Sequence, residues 1–229
     1  MFRGDPSLKG VSASVLPKQP KLLWTFNTED EVKGSIVVVG DKALFGSVDG
    51  PLTVVGGCDA VAHIIDLGSG EKIGGVEVGS PIAGSMAMID GQVYFGHYGE
   101  EVLALDVKTQ KQLWKYEDRK FAYFSTPAVT ADRVIIGGRD KRIHCLNRKD
   151  GSQVWQFKTR GAVDSSPVVS GDAIVCGSDD GFLYLIDLAT GEERWSFEIG
   201  EPVQGSPAVA QGRIFIGSLD GSVYCFGSE

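Results

Sequence analysis

Residues 165–197, SSPVVSGDAIVCGSDDGFLYLIDLATGEERWSF, hold four short apolar runs separated by turn residues. The runs are Ser166–Val169, Ala173–Gly177, Phe182–Asp187 and Arg194–Phe197, each four to six residues long. That length is too short for a helix and right for a strand. The breaks are Ser170-Gly171-Asp172, Asp179-Asp180-Gly181 and Ala189-Thr190-Gly191. Asp-Gly is a strong hairpin signal, because a type I′ turn needs positive φ. The stretch predicts a four-stranded antiparallel meander whose last strand carries Trp195.

Outward from this stretch the pattern repeats. Trp114, Trp155 and Trp195 fall 41 and 40 residues apart. Ser85, Thr126, Ser166 and Ser206 open the first strands at spacings of 41, 40 and 40. Asp66, Asp106, Asn147 and Asp187 close the third strands at 40, 41 and 40. A four-strand unit with a period near 40 predicts an all-β fold, a β-propeller of four-stranded antiparallel blades. Blade two is expected at Ser85–Tyr116, blade three at Thr126–Thr159, blade four at Ser166–Glu198 and blade five at Ser206–Phe226. Pro127, Pro167 and Pro207 each start a first strand, and proline belongs at a sheet edge or strand start. The first strands are therefore expected innermost, facing a central channel.

Blade one is irregular. Ser35–Val39 and Ala43–Ser47 read as its first two strands and His63–Asp66 as its third. Val54–Ala60 repeats the second-strand motif, and Gly74 stands at the tryptophan position. A looped insertion and a seam near Pro51, where blades were lost, both account for this. At the chain ends, residues 1–20 read as a surface strap, and Lys21–Thr28, KLLWTFNT, matches the fourth strands KQLWKYED, SQVWQFKT and EERWSFEI. Blade five has strands one to three only. The expectation is a single domain over residues 21–229, a ring of five blades closed by the strand at 21–28. Closure removes the open sheet edges.

Composition narrows the function. With 22 basic and 30 acidic residues the net charge is −8, which argues against nucleic acid or an anionic membrane as the main partner. No apolar run has the length of a transmembrane helix. The opening MFRGDPSLKG lacks the apolar core of a signal peptide, which leaves a cytoplasmic location open. Cys145, Cys176 and Cys225 fall in expected strands and Cys58 in an irregular stretch. No CxxC or other ligand spacing is present, so they read as buried free thiols, and no metal site is assigned.

Two blades depart from the Asp-Gly turn. Blade two has His97-Tyr98-Gly99-Glu100-Glu101 there, and blade three has Arg139-Asp140-Lys141-Arg142. Alternate strand ends of a meander share a face, so these turns lie beside the blade-to-blade connections at 118–124 and Arg160. His97, Tyr98, Arg119, Lys120, Tyr123, Arg139, Lys141, Arg142 and Arg160 are therefore expected on one sector of one face. A basic and aromatic patch on an acidic protein has the composition of a recognition surface. The plainer account is a solvated rim with ion pairs to Glu100, Glu101, Asp118 and Asp140. No nucleophile with a base accompanies the patch, and no catalytic residue is assigned. His63 and His144 read as core or interblade histidines, Asp49, Asp180 and Asp220 as turn residues, and the tryptophans as interblade packing.

The repeat, SSPVV…GSDDGFLYLID…TGEERW and in blade five GSPAV…GSLDGSVYCF, resembles the pyrroloquinoline-quinone-like (PQQ-like) repeat over residues 21–229. In particular it is similar to the bacterial BamB-type propellers, whose secreted relatives often open with a stretch like Phe2–Pro6, FRGDP. The resemblance implies a lipoprotein scaffold of outer-membrane protein assembly and an extracytoplasmic location. It also implies tryptophans docked between blades and a ring of seven or eight blades, against material here for five. Quinoprotein dehydrogenases share the motif but hold their quinone beside a vicinal disulfide and calcium. This chain has no vicinal cysteine pair, so no cofactor is assigned. The expected function is a non-catalytic, monomeric scaffold for a protein or peptide partner. The alternatives are a quinone- or small-ligand-binding domain over the channel, or a sensor domain of a larger protein.

Overall fold

The computed structural model describes residues 36–39, 42–45, 48, 49, 52–66, 68–210 and 212–227. Strands β1 (Ile36–Val39) and β2 (Lys42–Phe45) pair as a two-stranded sheet. Sheet one is β3 (Val48–Asp49), β4 (Leu52–Gly56), β5 (Val61–Asp66) and β6 (Lys72–Glu77). Sheet two is β7 (Ala87–Ile89), β8 (Gln92–Gly96), β9 (Val102–Asp106) and β10 (Lys111–Tyr116). Sheet three is β11 (Ala128–Val129), β12 (Arg133–Gly138), β13 (Arg142–Asn147) and β14 (Gln153–Lys158). Sheet four is β15 (Val168–Ser170), β16 (Ala173–Gly177), β17 (Phe182–Asp187) and β18 (Glu193–Glu198). Sheet five is β19 (Ala208–Ala210), β20 (Arg213–Gly217) and β21 (Val223–Phe226). All are antiparallel meanders.

One expectation is corrected. Among the described residues, Ile36–Val39 and Lys42–Phe45 do not open blade one, against the expectation for 35–39 and 43–47. The second copy of the motif does, because β4 pairs with β5 from Leu52↔Asp66 to Gly56↔Ala62. That is the register of β8 on β9, Gln92↔Asp106 to Gly96↔Val102, one period earlier. Only one of the two copies can occupy that edge of β5, so β1 and β2 stand apart. The strand proposed at 21–28, Trp24 and the 1–20 strap lie outside the described residues.

The first strands lie side by side, β3 beside β7, then β11, β15 and β19. Pro127, Pro167 and Pro207, at the starts of β11, β15 and β19, remove a backbone donor where no neighbour strand needs one. The middle strands are buried on both faces, which is why they read as unbroken apolar runs. The core is correspondingly a series of layers between consecutive sheets. One joins Ile64 to Phe95 and Leu103, the next Tyr94 and Ala104 to Ile136 and Leu146, and the third Ile143 to Ile174 and Ile186. Leu183 and Val203 meet Ile216 in the last.

The outer strands explain the tryptophans. In sheets two, three and four a register shift precedes or follows the tryptophan, which pairs as Trp114↔Ala104, Trp155↔Cys145 and Trp195↔Leu185. The bulge throws Leu113 and Val154 outward to solvent. Trp114 and Trp155 then reach the next sheet, donating Nε1–H to the carbonyls of Arg148 at 2.9 Å and Leu188 at 3.1 Å. Each ring lies on a glycine, Gly151 (φ +73°) or Gly191 (φ +75°), where a Cβ would come within 2.6 or 2.5 Å of it. Sheet one shows the complementary exchange. Gly74 takes the tryptophan position, and Gln110 takes the glycine position at φ 55°. The Gln110 amide lies 2.3 Å from where a Gly74 Cβ would stand, so it fills the space a tryptophan fills elsewhere.

Small hydroxyls stitch the inner strands. Thr126 N–H donates to Ser166 Oγ (3.0 Å) and Ser166 N–H to Ser206 Oγ (3.2 Å). These residues share one position of the repeat. The four cysteines are free: Cys145 and Cys176 are buried, Cys58 is half-buried and Cys225 is exposed on β21. The expectation of burial therefore holds for Cys145 and Cys176 and fails for Cys58 and Cys225. Burial pushes the Cys145 and Cys176 thiols up to about 12, so they stay protonated and unreactive.

Candidate functional site

The turns between second and third strands and the sheet-to-sheet connections form one continuous surface, through a bond pattern repeated four times. Ile82, Tyr123, Val163 and Val203 donate their N–H to the carbonyls of Gly57, His97, Gly138 and Ser178 in the sheet before. The preceding carbonyls, of Pro81, Ala122, Ala162 and Pro202, accept the N–H of Tyr98, Arg139, Asp179 and Leu219 in the sheet after. All eight bonds measure 2.8–3.3 Å. The same four side chains plug the space over Gly56, Gly96, Gly137 and Gly177, where a Cβ would meet them at 2.2–2.7 Å. Each connection is thus clamped between two sheets.

Within that face the nine residues singled out from the sequence separate. Tyr98 is 53% exposed and packs its ring on Phe124, centroids 4.5 Å apart. The Arg139 guanidinium lies over Phe124 at 4.3 Å and forks onto Asp164 at 3.0 and 2.7 Å. A row Tyr98–Phe124–Arg139–Asp164 therefore crosses from sheet two toward sheet four. Phe121, Arg119 and Lys120 are exposed beside it, with Arg119 Nε 3.7 Å from Asp118. Lys141 is exposed at φ 66° in its turn. Arg160 is exposed and sits 5.7 Å over the Phe182 ring. Arg142 is half-buried, 3.4 Å from Asp140.

His97 and Tyr123 lie beneath this surface, each 1% exposed. Tyr123 is the plug over Gly96, and the recurrence of apolar residues at 82, 123, 163 and 203 is the sequence signal that identifies it. Phe121, Phe124 and Asp164 belong to the face and were not singled out. The two phenylalanines fall within the connection at 118–124, and Asp164 carries no repeat signal.

The turn carboxylates have a second role. Asp180 caps its own turn through Phe182 N–H (3.1 Å) and accepts the Tyr184 hydroxyl (2.8 Å). Asp220 does the same with Ser222 and Tyr224. At the same offset of four residues, Asp140 Oδ1 meets His144 Nε2 at 3.0 Å and Asp59 meets His63. His144 is fully buried and its Nδ1 faces the Tyr116 hydroxyl (3.2 Å) and Gln156 amide (3.3 Å). Tyr116 comes from sheet two, so this histidine joins two sheets. Burial pushes the Tyr116 hydroxyl up to about 12. Burial also raises the Asp140 carboxyl, but the His144 and Arg142 contacts outweigh it and hold that carboxyl below its ordinary value.

Asp118, Asp140 and His144 bring three ligand-type atoms within 4.8 Å of one another. Their donor atoms are engaged elsewhere: Gln156 Nε2 lies 2.7 Å from Asp118, and the Arg142 cation sits on Asp140. A cation already in place opposes a second one, so this group reads as a hydrogen-bonded lock between sheets. Among the described residues no helix is long and apolar enough to cross a membrane.

A PQQ-like family model described as outer membrane protein assembly factor BamB matches residues 10–156 and 139–228. The chain belongs to this BamB family. It is 34% identical over 86 residues to the BamB of Xanthomonas campestris pv. campestris, a match covering 34% of the chain and 21% of that relative. It is 26% identical over 96 residues to the BamB of Marinobacter adhaerens, covering 41% and 23%. The match thus spans about a fifth of each curated relative. The crystal structure of BamB from Moraxella catarrhalis superposes with a TM-score of 0.70 at 18% identity, over 79% of this chain and 60% of that one. The computationally designed Ika8 protein gives 0.72 at 17% identity, over 79% and 57%. The likenesses at this identity speak for the fold: five antiparallel sheets of three or four strands arranged as in the BamB propeller.

Proposed function

We propose that the chain is a non-catalytic, extracytoplasmic scaffold that binds a protein or peptide partner on the face built from its second-to-third strand turns. The observation that carries this reading is the aromatic and cationic row of Tyr98, Phe124 and Arg139, in which Tyr98 and Arg139 are exposed on a half-buried Phe124, with Phe121, Arg119, Lys120 and Lys141 exposed on the same connection and turn. It stands on connections clamped by repeated backbone bonds. Rigid aromatic anchors lose little entropy on binding, and aromatic and arginine side chains dominate interface energetics. The relatives' name, outer membrane protein assembly factor, supports a protein partner.

The test is capture from an envelope extract with immobilised protein. The triple variant Tyr98→Ala, Lys120→Glu, Lys141→Glu is expected to lose at least about tenfold of the specific partner, since a central aromatic alone contributes ~2 kcal/mol. Lys108→Glu with Lys149→Glu, on third-to-fourth strand turns at the other end of the sheets, should capture normally. Equal capture by the triple variant and the native chain would refute the face.

We also infer that residues 21–28 complete sheet five in cis, making 21–229 one monomeric domain of five four-stranded blades plus the short β1–β2 sheet. Residues 24–35, WTFNTEDEVKGS, repeat 195–206, WSFEIGEPVQGS, with tryptophan, the valine plug and Gly-Ser in step. Trp24 precedes β1 by 12 residues, as Trp195 precedes β19 by 13. Trp195 and Phe197 on β18 cluster with Phe226 and Tyr224 on β21, which supports an apolar seat for a further strand beside β21.

A further inference from the structure

All three histidines lie at the turn face, each next to a carboxylate, and His97 differs from the others in how its ring is held. It occupies the first turn position of sheet two, where the other sheets have Gly57, Gly138, Ser178 and Ser218. Its Nδ1 accepts the Gly99 N–H at 2.9 Å. An acceptor nitrogen bears no proton, so in this geometry the ring is neutral with its hydrogen on Nε2. Nε2 has no hydrogen-bond partner, although Glu101 Oε2 lies 3.5 Å away. The ring is tightly enclosed: a Cβ on Gly99 would stand 2.7 Å from His97 Cε1 and 2.8 Å from Ser80 Cβ.

We propose that the 97–101 turn is a proton-sensitive latch for the exposed Tyr98. Neutral His97 holds the turn shut by accepting the Gly99 N–H, and protonation at Nδ1 releases it. The mechanism is a donor facing a donor. A proton on Nδ1 would point at the Gly99 N–H across 2.9 Å, and the enclosed ring has no room to turn away. The turn must open instead, and it carries Tyr98, whose N–H is bonded to Pro81 and whose ring rests on Phe124.

The groups facing His97 set the direction. Burial of the ring disfavours its cation, Glu101 favours it, and Lys115 from β10, itself 2.6 Å from Glu101, opposes it. The connection at 78–86 brings Ser80, which is uncharged. Tyr123 from the next connection packs below, its hydroxyl pushed up by burial and neutral throughout the range concerned. The balance lies below the ordinary histidine value of 6.5. A histidine with a depressed pKa favours the closed turn fully above its ordinary value, and that contribution falls as pH drops below it. Acid therefore loosens the Tyr98 surface.

This inference rests on the proposed binding face only for its consequence, because the latch itself is read without a partner. Exchange protection of the Gly99 and Tyr98 amides, corrected for intrinsic rates, is measured by NMR on the 15N-labelled chain from pH 8 to pH 5. Opening at Gly99 is expected to rise with acid, by up to about tenfold for each unit by which the ring lies below its ordinary value. His97→Gln, whose amide oxygen accepts at every pH, should give a flat profile. Unchanged Gly99 protection in the native chain, or the same rise in His97→Gln, would overturn the latch. Should His97→Gln not fold, Glu101→Gln keeps the Gly99 bond but removes the facing anion. Its transition must then move to lower pH, and an unmoved midpoint is equally fatal. Partner capture plays no part in these readings, so either proposal can fail alone.

Discussion

Replacing Trp155 with alanine is expected to lower the melting temperature by roughly 6–20 °C. Truncating a buried tryptophan costs about 3–5 kcal/mol, and a domain of this size loses about 2–4 °C per kcal/mol. The ring is 9% exposed, lies across Gly191 and donates to Leu188 in the next sheet. Its loss removes packing from both sheets and orphans a carbonyl between them. Gly191 cannot compensate, since its φ of +75° resists any larger residue. Trp195→Ala is the comparison. That ring is 37% exposed, so its loss should cost less. A Trp155→Ala protein melting within about 2 °C of the native chain would show that the ring is not an intersheet dock.

Gly137→Val carries the second large effect. Its Cβ would stand 2.4 Å from Val163 Cγ1 and 2.5 Å from the Val163 carbonyl oxygen. Neither neighbour can give way. Val163 is tied to Gly138 by its N–H, and Ser125 Oγ bonds both the N–H and the carbonyl of Gly137. Overpacking in a filled core costs about 1–3 kcal/mol, and here backbone is struck, so about 3 kcal/mol is expected. That corresponds to a fall of roughly 6–12 °C. The clamp joins the turn face to the core, so exchange protection of the Arg139 and Val163 amides should drop with it. A native-like melting curve would mean that the connection is free to move.

Much of this architecture was legible because the repeat records it at fixed spacing. Trp114, Trp155 and Trp195 mark the outer strands, and the Asp-Gly turns mark the hairpins. Proline at 127, 167 and 207 marks the inner strands. Blade one misled because two copies of the second-strand motif, at 43–47 and 54–60, read equally well as strands in isolation. Pairing with β5 decides between them, and that is a non-local fact. Gly74 looked like a missing tryptophan, yet Gln110 occupies the space from the neighbouring sheet, a compensation no single blade displays.

The face was legible in outline and not in depth. Turn and connection are bonded to each other, as meander geometry requires, and Tyr98, Arg119, Lys120, Arg139, Lys141 and Arg160 are exposed on those segments. Residue type pointed Tyr123 to the surface although its spacing matches Val163, and nothing in the sequence shows that His97 folds inward over Gly99. Both are polar-aromatic residues at positions where other blades carry apolar or small ones. Asp164 was invisible because its role depends on the fork of Arg139, 25 residues away.

The scaffold reading depends on a ring closed by the chain itself, and Cys225 makes that testable. Tryptophan pairs with Ala104, Cys145 and Leu185 in sheets two to four, so in sheet five Trp24 should stand opposite Cys225. In a Cys58→Ser background, Trp24→Cys is treated with oxidant or with a short bismaleimide. Peptide mapping then locates the link. Closure in cis predicts a bond between residues 24 and 225 within one chain, formed in high yield at dilute concentration. Absence of that bond, or its appearance only between two chains, would contradict the closed monomeric ring.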